Sequence, residues 1–168
     1  YFIRKKRSFW QAFAVCPGKC QGERSIEAKT PSLRKEGPAR EVGPVQFHRD
    51  GIRFDYPDTW QLTREETDTG WTVSVQSPET AFMLVTLDEE MPEIGLVAET
   101  VLEALRADYP DLEADDVVES FAGQPALGHD IRFFSLDLTN TCCSRAFCAD
   151  AGTVLVMWQA NDLELDEV

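Results

Sequence analysis

An Asp-Gly pair at positions 50 and 51 divides two short runs of alternating apolar residues. Val45 and Phe47 precede it, and Ile52, Phe54 and Tyr56 follow. Asp-Gly supports the positive φ angles of a two-residue type I′ turn, and a period of two marks a strand with one buried face. Residues 45–48 and 52–56 are therefore predicted to pair as a β-hairpin. Pro57 ends the second strand, because it has no N–H to give to a ladder.

The pattern repeats downstream. "WQLTREE" and "WTVSVQS" flank the turn signal Thr67-Asp68-Thr69-Gly70, and Trp71, Val73 and Val75 share one face. Residues 81–87, "AFMLVTL", are almost continuously apolar, which predicts a strand covered on both faces. The period then lengthens. Val97, Val101 and Leu105, with Ala98, Leu102 and Tyr109 beside them, form the stripe of an amphipathic helix that Pro110 stops. Four further strands are predicted: "DVVESF", "ALGHDIRFFSLDL", "TCCSRAFCA" and "TVLVMWQA". Residues 122–125, Thr139-Asn140 and residues 150–152 separate them. Asn161 and Asp162 are good helix caps, and Leu163 opens a second apolar period. The sequence stops at Val168, within about two turns, so a longer natural chain is expected.

Local hairpins imply a mainly antiparallel sheet, and two helical stripes need a surface to cover. The expected class is α+β, a sheet sandwiched by helices. Residues 1–44 read differently. Residues 17–44 are rich in Gly, Pro, Lys and Glu with no apolar period, so residues 1–44 are expected to be a disordered basic leader and linker before a domain at 45–168.

Charge divides at the same place. Residues 1–44 balance at +6 and residues 45–168 at -20, giving the net charge of -14. An acidic body repels nucleic acid and anionic lipid, so any polyanion contact is expected on the leader. No apolar run reaches the roughly 18 residues of a membrane helix. The start, "YFIRKKRSFWQAFAVC", has the outline of a signal peptide, but Gln11 interrupts its apolar stretch and no cleavage site is clean. Five cysteines are an odd set for a disulfide framework, so a reducing, cytoplasmic compartment is expected.

"FDYPDTWQL", "TVSVQSP", a helix, "FAGQPALGHDIRF" and "GTVLVMWQAND" follow one another in an order that resembles the PsbP-like superfamily. That family includes an extrinsic subunit of photosynthetic oxygen evolution, a Ran-binding nuclear import factor and many bacterial proteins of unknown role. The resemblance spans residues 45–168 and implies an α/β/α sandwich that binds or assembles proteins. It supplies no catalytic motif and no cofactor. The basic leader has no counterpart in it.

Few residues suggest chemistry. Cys16 and Cys20 have a C-x3-C spacing used by zinc, yet no His lies near them. Cys142 and Cys143 point to opposite faces of a strand, and Cys148 lies six residues beyond Cys142, so these three read as small buried hydrophobes rather than ligands. His129 shares a strand face with Ile131 and Phe133 and reads as a core or edge histidine. His48 adjoins the hairpin turn and is expected to be exposed. Trp60, after Tyr56-Pro57, is expected to plug one end of the core. No nucleophile elbow, P-loop or calcium-loop pattern is present. Asp108, Asp111, Glu113, Asp115, Asp116 and Glu119 form an acidic edge after the helix, suited to a basic partner or simply to solubility.

Three functions follow as expectations. The first is a non-catalytic domain that binds a protein partner or aids assembly. The second is a small enzyme with a site near His129 and Cys142 or Cys148. The third is an anionic-surface adaptor acting through Arg4, Lys5, Lys6, Arg7 and Trp10.

Overall fold

A computed structural model of the chain describes residues 14–15, 43–135 and 137–164. The basic cluster Arg4, Lys5, Lys6, Arg7 and Trp10 and the pair Cys16 and Cys20 lie outside the described residues. The elements run β1 (Ala14–Val15), β2 (Val45–Arg49), β3 (Ile52–Tyr56), β4 (Gln61–Thr67), β5 (Gly70–Gln76), β6 (Phe82–Asp88), α1 (Ile94–Asp108), β7 (Glu113–Phe121), β8 (Gln124–Ser135), β9 (Leu138–Ala149) and β10 (Gly152–Asn161). Seven strands form one sheet in the order β4-β5-β6-β10-β9-β8-β7, and three form a small sheet ordered β1-β3-β2. Every pairing is antiparallel. Of the leader, Ala14 and Val15 are described, and they pair with Arg53 and Ile52.

The predicted hairpin forms at its turn signal. Asp50 and Gly51 have φ of 48° and 79°, the positive angles that a type I′ turn requires. The hairpin lies on one face of the large sheet. Phe47, Ile52 and Phe54 join Trp71, Val73, Val75, Val85, Phe147, Val154 and Val156 in one buried cluster. The Phe47 ring stands 5.7 Å from that of Trp71 and 4.9 Å from that of Phe54. Trp60 is half-buried and packs against this cluster.

Helix α1 lies on the other face, displaced toward β8, β9 and β10. Ala98 and Leu102 are its buried residues. Leu102 joins Ile131, Phe133 and Cys142 in a second cluster, with Leu105, Tyr109 and Met157 packed against it. Tyr109 closes the helix: its N–H donates to the Leu105 carbonyl at 2.8 Å, and its ring stacks on Phe133 at 4.1 Å.

Four sequence expectations need correction. The helix-sandwiched α/β/α architecture is not found, because α1 is the one α-helix among the described residues. The opposite face is covered by the small sheet, whose aromatic Phe47 and Phe54 fill the place a second helix would take. After β10, the Asn161 side chain accepts N–H bonds from Leu163 and Glu164, as a cap does, and residues 165–168 lie outside the described set. Second, β6 is not covered on both faces. Met83, Val85 and Leu87 are buried under the hairpin, while Phe82, Leu84 and Thr86 stay half-buried. Third, Thr139 and Asn140 are not a turn. They pair with Phe134 and Phe133, and the turn comes at Asp137, whose φ of 63° suits a residue with a short polar side chain. Fourth, Cys148 is exposed, unlike Cys142 and Cys143.

Candidate functional site

Strand β7 is the last of the large sheet, so its outer row of N–H and C=O groups has no ladder partner among the described residues. It is joined to β8 by Ala122 and Gly123, both with positive φ (50° and 81°), which makes a tight hairpin and fixes the register. In that register Asp115 stands opposite Asp130, Asp116 opposite His129, Val118 opposite Leu127 and Glu119 opposite Ala126. The nine-residue strand carries four acidic residues and no basic one. Edge strands carry such charges to discourage indiscriminate pairing. Its Val118 is 81 % exposed.

The other edge, β4, is different. Its Arg64 lies over the Phe47 ring at 5.3 Å, and its Glu66 takes a bidentate hydrogen bond from Arg49 at 2.6 and 3.0 Å. Residues of the small sheet thus hold β4 down, whereas β7 lies at the far side of the sheet.

His129 sits beneath the joint between α1 and β7. It is 3 % exposed, its N–H donates to the Ser144 hydroxyl at 3.2 Å, and its Nδ1 is buried without a hydrogen-bond partner. Its Nε2 lies 3.5 Å from Asp116 Oδ1 and 3.6 Å from Glu99 Oε1, at the outer limit of contact. Both carboxylates are exposed. Neither is foreseeable from spacing, because Glu99 and Asp116 come from two other elements.

On the opposite face, Arg145 joins β7 to β8 and β9. Its Nε donates to Glu119 at 2.5 Å and its Nη2 to Asp130 at 2.9 Å. Its Nη1 donates to the carbonyls of Ser144 at 2.7 Å and His129 at 3.2 Å. Burial works to lower its pKa, but the hydrogen bonds and charges of Glu119 and Asp130 outweigh it, and the net direction is upward. A signal for this cluster existed in the sequence: an arginine within "TCCSRAFCA" must find acceptors once the strand is buried.

The proposed His129–cysteine pairing is not assembled. Cys142 stands opposite Ile131, not His129. Burial, helped by the charge of Asp130, pushes its thiol up to about 12, so it stays protonated at neutral pH. Cys148 lies four residues past Ser144, the partner of His129, or roughly 13 Å along the strand. His48 is exposed, as expected. Among the described residues no group of three His, Cys, Asp or Glu side chains is arranged to hold a metal ion. No helix among them is long and apolar enough to cross a membrane.

No family model matches the chain, and no curated protein does. A solved structure of a protein of unknown function from Pseudomonas aeruginosa is similar at 10% identity, with a TM-score of 0.39 over 74% of this chain and 87% of that one. A likeness so distant carries no argument about function. Nothing in these comparisons adds to the resemblance to PsbP-like proteins.

Proposed function

We propose that this chain is a non-catalytic protein-binding domain that takes an extended segment of a partner along β7. The open outer edge of β7 carries the reading. A guest strand there gains a ladder of main-chain hydrogen bonds without displacing any described part of the fold. The charges that keep other edges off β7 also make the choice of guest selective. The Ser144 hydroxyl beside His129 accepts from that residue's backbone N–H, and the ring Nδ1 has no hydrogen-bond partner, so the histidine is not set to activate it and the geometry favours recognition over reaction.

The test is hydrogen exchange on the full chain, with and without an extended peptide ligand selected for binding. Protection is expected in β7 amides. Protection confined to β4 or to α1 would refute the proposal.

A further inference from the structure

We infer that the guest strand carries two adjacent basic residues beside two adjacent apolar ones, matched to the sequence Asp115-Asp116-Val117-Val118 of β7. This inference rests on the edge reading above and adds the chemistry of the partner. In a strand, neighbouring residues face opposite sides, so Asp115 and Asp116 offer one carboxylate on each face.

On the Arg145 face, Asp115 is directly opposite Asp130. Like charges at facing positions destabilise a sheet. Arg145 binds Asp130 and Glu119. A guest cation beside Asp115 would relieve the remaining repulsion. On the α1 face, His129 is buried with Nδ1 unpartnered and directs Nε2 at Asp116 and Glu99. A guest ammonium or guanidinium entering between those carboxylates meets two negative charges. The Asp116 side chain is 91% exposed and free to receive it.

The apolar half follows directly along the strand. Val117 is half-buried and Val118 exposed. Val118 is opposite Leu127, and Leu127 lies 4.0 Å from the position a Cβ would take on Gly95 at the start of α1. The next residue, Leu96, is 62% exposed. Apolar guest side chains at this level would cover surface that the fold leaves open to water.

The probes are two capped hexapeptides, Thr-Val-Val-Lys-Lys-Thr and its reverse, one for each strand direction, titrated against the full chain by fluorescence anisotropy. At least one is expected to bind. Replacing its lysines by glutamate should abolish binding, and replacing its valines by serine should weaken it about tenfold, the worth of two cross-strand pairs. The double variant Asp115→Lys/Asp116→Lys should lose the lysine peptide and gain the glutamate one, an exchange that a damaged fold cannot produce. Binding by neither peptide, or equal binding of lysine and glutamate forms, overturns the inference. N-methylation of alternate peptide amides separates the two ideas. If it leaves binding intact, the edge reading itself fails; if it abolishes binding while the lysines prove dispensable, only the partner chemistry fails.

Discussion

The indole Nε1 of Trp71 donates to Asp50 Oδ2 at 2.8 Å, tying the turn of the hairpin to the sheet it covers. Trp71 is fully buried, so its N–H needs an acceptor that water cannot replace. Asp50 supplies one from a position that must also adopt a φ of 48°. Asp50→Gly keeps that angle available and removes the acceptor; Asp50→Asn keeps both. Glycine is expected to cost about 1–3 kcal/mol in urea unfolding, the range for stranding a buried donor, and asparagine less than about 1 kcal/mol. Equal losses in the two variants would show that the bond contributes nothing.

Glu164 gives the fold a pH dependence. It is 5% exposed, and its carboxylate accepts from Ser77 Oγ at 2.9 Å, from the Thr80 hydroxyl, and from the N–H groups of Thr80 and Ala81 at 3.1–3.2 Å. Burial is the largest single influence and pushes its pKa up, but these donors together outweigh it and leave the pKa below the ordinary 4.5. The unfolded chain therefore takes up this proton first as pH falls. The stabilisation is complete above 4.5 and fades as pH drops through that value toward the folded pKa. The stability gap between the native protein and Glu164→Gln should shrink between pH 7 and pH 3. A gap that widens on acidification would contradict the hydrogen-bond account.

The cysteines should separate by exposure. Cys142 is buried and its thiol is pushed up to about 12, Cys143 is buried, and Cys148 is exposed. Alkylation at pH 8 followed by peptide mapping should label Cys148 in the folded protein. Cys142 and Cys143 should react only after denaturation, since the thiolate is the reactive form. Early labelling of Cys142 would place β9 nearer the surface than the fold allows.

Local signals in the sequence carried the strands, and tertiary choices were hidden from it. Asp50-Gly51, the 96–109 stripe and Pro110 each act within a few residues, so the hairpin, α1 and its end were readable. What covers the sheet depends on which stripe wins the surface. The apolar side of β2 and β3 reads as half of a hairpin, and nothing local says that it packs as a layer over Trp71. The near-continuous run of β6 misleads for a related reason, since Phe82 and Leu84 are apolar yet only half-buried. The acidic strand β7 was visible as composition. Its place at the sheet edge, with Asp116 over His129, came only from the register.

Arg145 anchors that edge, and its removal should be felt there first. Four acceptors converge on the guanidinium: Glu119 of β7, Asp130 of β8, and the carbonyls of His129 and Ser144. The side chain is 11% exposed while its two carboxylate partners are 45% and 37% exposed. Water can therefore recover part of what the acids lose, and Arg145→Ala is expected to cost about 2 kcal/mol, below the range for a pair buried at both ends. Lysine offers one compact charge in place of a planar fork and cannot reach all four groups, so Arg145→Lys should fall between the native protein and alanine. Glu119 is the bond that reaches β7, so amide exchange in Glu113–Phe121 should speed up more than in β10, which Arg145 does not bridge through its side chain. Uniform acceleration across the sheet would mean that Arg145 supports the whole fold rather than its edge.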